Sequence, residues 1–398
     1  MPGKIIILIV YLLNLPLHFI GRMVPRDRDL WIFGARQGQA FAENPKYFFL
    51  YVRRNHPGIR AVWLTRNRRV RDRLRQEGHR AYMTHGLKGY WLSMRAGAAF
   101  FSSLRFMPSD LNIYAWDRKI MLVQLWHGSP VKRIIHDDPG SKFGKGGPAE
   151  RLLCLLFPFH RLLGVPFFSM SIAASPEVRK RLCSAFRMDP EDIPVTGYPK
   201  NDRQADFGQG VKGDILYAPT FRRGGLSFLE EAGFDPERIN SFLESRKCRL
   251  FVKLHYYDMK QEHGLDRMIE GYDRIVLLKC DDIYEILDRF DALITDYSSL
   301  LFDFLLMDRP VLFAPFDLDC YREAEAGLYY RYDEISPGPV AQDWEELLSA
   351  LDEVLSWPDR YIAKRKALCE RFNSFRDKQS SERLFSEVRA RLDRKGLY

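Results

Sequence analysis

The sequence predicts an α/β protein built from two domains with parallel sheets. Three observations carry this. The 398 residues exceed what one ordinary core fills, so two domains of about 150–200 residues are the expected division. Short apolar runs alternate with amphipathic stretches of helical period, the pattern of βαβ units with right-handed crossovers. Finally, each half contains a buried-strand pattern that stops at a histidine, His127 and His255, about 130 residues apart.

The elements follow in order. Residues 29–34, with Leu30, Trp31, Ile32 and Phe33, read as the first strand. Residues 45–54 read as a helix, 60–65 as a strand, 70–77 as a helix and 98–103 as a strand. Residues 119–127 form an apolar run that Gly128-Ser129-Pro130 breaks. In an open α/β sheet, ligands bind beyond the carboxyl ends of the strands, so His127 stands where a substrate is expected. Lys132 and Arg133 follow at once and favour an anionic one.

Residues 137–148 are loop, with four glycines and two lysines. No Gly-Lys-Ser/Thr is present, so the segment is not a P-loop and reads as a lid. Residues 151–168 are apolar with arginines and two prolines. A core helix and a membrane-contacting patch both fit them. The chain turns polar from Gly197 to about Gly213, which places a domain boundary near residue 205.

In the second half, residues 214–218 read as a strand ending in Pro219-Thr220-Phe221-Arg222. The His255 strand, residues 274–278 as a strand and a helix from Ile283 to Arg289 follow, with Asp281-Asp282 as its cap. Residues 291–304 then run from a buried strand through Asp296-Tyr297-Ser298-Ser299 into a helix. Ser298 and Ser299 are suited to capping, and free N–H groups at such a terminus suit a phosphate.

Composition narrows the function. The net charge of +9 fits a phosphate-rich ligand, nucleic acid or an anionic membrane face. No zinc-finger, RRM or KH pattern is present, so nucleic acid is not expected as a partner. The six cysteines are scattered without a C-x-x-C pair and read as reduced core residues of a cytosolic protein. No metal cluster is evident, and whether a divalent cation takes part stays open. Residues 5–20 are apolar but short for a bilayer span, broken by Pro16 and followed by Arg22, Arg26 and Arg28. They read as an interfacial anchor or as a buried first element. The expected division is 1–28 as an apolar membrane-contacting segment, 29–205 as the first domain and 206–398 as the second.

Taken together, these segments resemble the CDP-glycerol glycerophosphotransferase family, the teichoic-acid primases and polymerases and their capsule-polymer relatives. The resemblance is carried by Gln124-Leu125-Trp126-His127-Gly128-Ser129-Pro130-Val131-Lys132, Leu216-Tyr217-Ala218-Pro219-Thr220-Phe221-Arg222, Lys253-Leu254-His255 and Leu293-Ile294-Thr295-Asp296-Tyr297-Ser298-Ser299. Asn44-Pro45-Lys46-Tyr47, Asp308-Arg309-Pro310 and Pro337-Gly338-Pro339 also belong to it. It implies a GT-B fold, two Rossmann-like domains facing a cleft, with the acceptor on the N-terminal side and the CDP donor on the C-terminal side. The final helix is expected to pack back on the N-terminal domain.

The resemblance also implies the chemistry. A glycerol phosphate, or a related polyol phosphate, passes from a CDP-polyol to a hydroxyl of a polyprenyl-diphosphate-linked saccharide or a polyol-phosphate chain, and CMP leaves. CDP-glycerol is then a co-substrate, and no tightly bound cofactor is expected. His127 is the expected base, with His255 as the second catalytic residue. Arg222, Thr220, Asp296, Ser298 and Ser299 bind the donor, and Lys132 and Arg133 meet phosphate or acceptor. Asp296 has two open roles, orienting His127 or binding the polyol. Tyr256 stands where the family usually has proline, which alters the turn at the donor site. The enzyme is expected on the cytoplasmic face of the membrane, without spanning it. Two rival readings are a GT-B glycosyltransferase using a nucleotide sugar, and a basic peripheral membrane protein without catalysis.

Overall fold

The computed structural model describes residues 16, 20, 21, 23–103, 110, 111, 119–140, 168–203, 213–220, 227–254, 265–318 and 327–394. Residues 5–20, the lid residues from 141 onward and the apolar stretch up to 167 thus lie almost wholly outside the described residues, as do Arg222 and His255. The chain forms two compact units. The first comprises Met1–His127, Lys142–Arg203 and Asp377–Tyr398; the second comprises Gly128–Ser141 and Gln204–Arg376.

The first unit is a six-stranded parallel sheet in the order β3-β2-β1-β4-β5-β6. The strands are β1 (Asp27–Phe33), β2 (Arg60–Thr65), β3 (Ala81–Met83), β4 (Ala96–Phe101), β5 (Met121–Gln124) and β6 (Met170–Ser171). This is the strand order of a doubly wound dinucleotide-binding fold, with its switch point between β1 and β4. β4 and β5 are buried along their whole length, as strands covered on both faces must be. Helix α1 (Glu43–Asn55) packs on the sheet through Phe48 and Phe49. Phe33 stacks on Phe100 at 4.7 Å and meets Phe49 edge-on at 5.4 Å, so aromatic rings fill the space between helix and sheet. Helices α2 (Arg68–Gln76) and α3 (Leu87–Arg95) make the crossovers from β2 to β3 and from β3 to β4, α4 (Pro176–Phe186) follows β6, and Asn67 and Ser175 cap α2 and α4 with their side chains. The C-terminal helix Ser380–Arg394 belongs to this unit. Its first amides, Ser380 N and Ser381 N, donate to Asp202 at 2.8 and 2.7 Å, and Phe385 packs on Trp31 at 5.3 Å.

The second unit is a five-stranded parallel sheet in the order β11-β10-β7-β8-β9. Its strands are β7 (Asp214–Ala218), β8 (Arg249–Val252), β9 (Ile275–Leu277), β10 (Ala292–Thr295) and β11 (Val311–Phe313). Counted within the unit, this repeats the doubly wound order, with its switch point between β7 and β10. Helix Trp344–Ser356 buries Trp344, Leu347 and Leu351 against the sheet, and the Trp344 indole meets Tyr217 at 5.4 Å. One expected element differs. Residues 283–289 form two 3-10 turns, Ile283–Glu285 and Leu287–Arg289, because Ile286 at φ −133°, ψ 5° interrupts the helix. Asp282 does cap the first of them, accepting from Tyr284 N at 3.3 Å.

Two of the recognised motifs serve the fold. Arg309 Nη1 donates to the carbonyls of Asp288 and Phe290 at 2.6 and 2.7 Å, tying the turn before β11 to the turn before β10. Pro339 O accepts from Phe313 N at 2.9 Å, and Gly338 lies so close to β11 that a Cβ there would strike the Val311 carbonyl. Only glycine fits that approach. Among the described residues, no helix is long and apolar enough to cross a membrane.

Candidate active site

In the first unit the loops beyond the carboxyl ends of β1, β4 and β5 gather around His127. Strand β5 ends at Gln124, and the chain then turns with Trp126 in the left-handed region, at φ 48°. This conformation costs a residue with a Cβ about 1–2 kcal/mol. Asn44, fully buried in α1, holds the turn. Its Nδ2 donates to the carbonyls of Leu125 and Trp126 at 2.9 and 3.1 Å, and its Oδ1 accepts from Lys200 N at 3.3 Å. The buried Lys200 reaches the same turn from Pro199–Arg203, with Nζ 2.7 Å from the His127 carbonyl oxygen. The His127 side chain is exposed, and the buried Trp126 indole stacks beside its ring at 4.4 Å. The turn is fixed and the imidazole is accessible, which is what a general base needs.

Two acids lie at the same end of the sheet. Asp110 spans the switch point: it accepts from Ser102 N and Ser103 N at 2.8 Å each, and from Gln37 N. Burial pushes the Asp110 carboxyl above the ordinary carboxylate range, against those amide bonds, and the neighbouring charge of Glu43 pushes the same way. Gly34 stands so close to Leu111 and the Asp110 carbonyl that a Cβ would be 2.8 and 2.9 Å from them. Glu43 opens α1 at φ 62° and accepts from Arg36 Nε at 2.9 Å. Burial raises the Glu43 carboxyl, but the opposing charges of Arg36 and His127, together with hydrogen bonds from the Ser102 and Arg36 side chains, leave the group below the ordinary carboxylate range. Arg36 and Gln37 are also left-handed, at φ 47° and 57°. Four strained residues at one end of one sheet are the kind of cost a fold concentrates at a working site.

In the second unit the switch point is built around Asp296, which is 2% exposed. Its carboxylate accepts from Thr220 N at 3.0 Å, Thr220 Oγ1 at 2.6 Å and Tyr297 N at 2.5 Å. Thus two of the expected site residues, Thr220 and Asp296, are brought together at the ends of β7 and β10. Tyr332 Oη donates to the Asp296 carbonyl at 3.2 Å. Ser298 and Ser299 follow, both half-buried. Ser298 Oγ accepts from Leu300 N at 3.3 Å, whereas Ser299 occupies the cap of Leu300–Phe304 without a side-chain capping bond. The expectation of two capping serines therefore holds for one of them only, because Ser299 already has helical φ and ψ of −64° and −15°.

Lys132 and Arg133 lie in the second unit. There Lys132 bridges Leu328 in antiparallel fashion, Arg133 N donates to Gly327 O at 3.0 Å and Tyr329 N donates to Val131 O at 2.9 Å. Tyr329 Oη closes the ribbon on Asp137 at 2.6 Å. Lys132 is half-buried and Arg133 exposed. Sequence reading missed Glu43, Asp110 and Lys200. A lysine after Gly197-Tyr198-Pro199 carries no sequence signal that it returns to the turn after β5. Glu43 was legible only as the residue before Asn44-Pro45.

Residues 17–390 match the family described as CDP-Glycerol:Poly(glycerophosphate) glycerophosphotransferase. The chain belongs to this family. Among its relatives, a teichoic acid glycerol-phosphate transferase of Staphylococcus aureus is 26% identical over 392 residues, covering 91% of this chain and 93% of that one. A teichoic acid poly(glycerol phosphate) polymerase of Bacillus spizizenii is 25% identical, covering 88% and 89%. The solved structure of the wall teichoic acid polymerase TagF superposes with a TM-score of 0.76 at 21% identity, over 99% of both chains. The likeness to TagF makes the fold GT-B-like, and family membership makes the chain a glycerophosphotransferase of the CDP-glycerol type. The strand-end histidine and the Asp296–Thr220 clamp are then features of a glycerophosphotransferase, one in each parallel-sheet unit.

Proposed function

We propose that the protein transfers glycerol phosphate from CDP-glycerol to a hydroxyl of a polyol-phosphate or polyprenyl-diphosphate-linked acceptor at the inner membrane surface. His127 takes the proton of the acceptor hydroxyl. The oxygen attacks the phosphorus that carries glycerol, the bond to the CMP phosphate breaks, and CMP leaves with the electron pair. Thr220, Asp296, Ser298 and Ser299, with Arg222 and His255, bind the donor, and donors to the leaving phosphate stabilise its growing charge. Lys132 and Arg133 meet phosphate groups of donor or acceptor. The observation that carries this reading is the clamped turn below an accessible His127.

Support for the membrane comes from the surface of the first unit. Leu87 and Trp91, one turn apart on α3, are 93% and 46% exposed, and Met23 is 84% exposed. Lys88 and Arg95 flank them, and Arg26 donates to the Ser93 carbonyl at 2.8 Å on the same helix. Apolar side chains ringed by cations suit an anionic lipid interface. Incubating the protein with CDP-glycerol and, separately, CDP-ribitol, and identifying the released nucleotide, tests the reading. CMP release in the presence of a polyol-phosphate acceptor supports it. Release of a nucleoside diphosphate from a nucleotide sugar, with none of CMP, would replace it with glycosyl transfer.

A further inference from the structure

We propose that Trp126 is the positioning residue of His127: its indole face carries the imidazole, fixes the plane of that ring and favours the imidazolium that forms when the base takes the acceptor's proton. The inference rests on His127 as the base. Its ground is the contact between the two rings, whose centroids are 4.4 Å apart with planes 28° from parallel. Consecutive residues of a strand point to opposite faces, so neighbours cannot stack while the chain stays extended. Strand β5 stops at Gln124, and Trp126 turns into the left-handed region at φ 48°. That turn folds the imidazole back against the indole. The conformation is disfavoured for a residue with a Cβ, and hydrogen bonds on both sides of it hold it in place. Trp126 N donates to Gln124 Oε1 at 3.2 Å, and Trp126 O accepts from Asn44 Nδ2 at 3.1 Å.

The indole is itself immobilised. It is 5% exposed, Phe186 at the end of α4 meets it edge-on at 5.2 Å, and Phe168 braces Phe186 at 5.1 Å. The imidazole is exposed, so one ring of the pair is fixed in the core and the other reaches solvent. An unsupported side chain at a surface samples several rotamers, and a base that must meet a hydroxyl gains rate from being held in one. The indole face adds an electrostatic effect. It is electron-rich and attracts a cation within about 6 Å of its centre. Imidazolium gains more from it than neutral imidazole does, and imidazolium is the state reached once the proton has moved. Removing the face is therefore expected to lower the pH at which His127 takes up its proton. A tryptophan that served only as apolar filling would keep water from the imidazole and disfavour its charged form. Its removal would shift the titration the other way or not at all, and the sign separates the two roles.

The test is the titration of His127, followed by NMR of the imidazole C–H signals in the full chain, beside CMP release from CDP-glycerol, for the parent, Trp126→Phe and Trp126→Leu. His127→Ala identifies the His127 signal among those of the nine histidines, and thermal unfolding is recorded for each protein. Glu43 at the start of α1, whose carboxyl feels the His127 charge, and Lys200, whose Nζ donates to the His127 carbonyl, keep their charges in both tryptophan variants. Trp126→Leu keeps an apolar cover and loses the ring face. It is expected to lower the titration midpoint of His127 by about half a unit and kcat by at least about tenfold, with KM for CDP-glycerol little changed. Trp126→Phe retains a weaker face and is expected to fall between the parent and Trp126→Leu in both. A folded Trp126→Leu in which His127 titrates at or above its parental midpoint overturns the inference, as does a lowered midpoint with parental kcat. If Trp126→Leu does not fold, a midpoint at or above the parental one in Trp126→Phe overturns it equally. His127→Ala distinguishes the two failures. An inactive His127→Ala beside a Trp126→Leu of parental midpoint and kcat overturns the role of Trp126 alone, whereas a fully active His127→Ala overturns the base and, with it, this role.

Discussion

Asn44→Leu is the sharpest perturbation of the architecture beneath His127. Leucine is close to asparagine in size, so the cavity term is small, and the loss is one of hydrogen bonding. The native side chain satisfies two buried carbonyls, of Leu125 and Trp126, and receives the Lys200 amide at 3.3 Å. Leaving one buried polar group unpaired costs about 1–3 kcal/mol. Two carbonyls and a weakly held amide together come to about 3–5 kcal/mol. For a unit of this size, that lowers the midpoint of thermal unfolding by roughly 6–20 °C. Function should fall further than stability. Trp126 at φ 48° is held in a disfavoured conformation by those bonds, and without them the turn relaxes and His127 moves. A displacement of about 1 Å at a reacting group costs about a hundredfold in rate. Calorimetry and CMP release, both at a temperature where the variant is folded, measure the two effects. A variant that unfolds within about 2 °C of the parent and turns over within about threefold of it would refute the reasoning.

Three further outcomes are expected. Asp296→Asn replaces the charged acceptor of Thr220 N, Thr220 Oγ1 and Tyr297 N and should destabilise the second unit by about 2–4 kcal/mol; calorimetry should also find weaker CDP-glycerol binding, and parental stability would mean the clamp is idle. Gly338→Ala drives a Cβ into the Val311 carbonyl and should cost about 1–3 kcal/mol, read as a lower thermal midpoint; an unchanged midpoint would show that β11 yields freely. The lowered Glu43 carboxyl contributes stability that is complete above its ordinary value of 4.5 and is lost as pH falls through its lower folded value. Glu43→Gln should therefore be less stable than the parent near neutrality and converge with it as the pH drops into that range, whereas a constant gap at all pH values would contradict the assignment.

The longer strands were legible because each is a short apolar run bounded by a breaker, whereas β3, β6 and β11, of two or three residues each, are too short to show a pattern. β7 coincides with the run at 214–218, and β10 lies in the segment 291–304 that was read as a buried strand leading into a helix. The turn at Ile283–Arg289 was not legible, since its residues have helical periodicity and only the backbone of Ile286 departs from it. At the site, His127, Thr220 and Asp296 announced themselves by standing at strand ends. Lys200 and the structural role of Asn44 did not, because they act on backbone carbonyls more than 70 residues away. A buried lysine on a backbone oxygen has no sequence pattern. The ribbon that Lys132 forms with Leu328 rests on backbone pairing across almost 200 residues, which no local reading supplies.

The most direct test of the account is the turnover of His127→Ala, measured as CMP released from CDP-glycerol with a polyol-phosphate acceptor, beside its calorimetric affinity for CDP-glycerol. The imidazole is exposed, and its turn is fixed through the backbone by Asn44 and Lys200, so folding should be close to parental. The account predicts parental donor affinity and a loss of at least about a hundredfold in turnover, the scale on which a general base acts. Turnover within about threefold of the parent would contradict it.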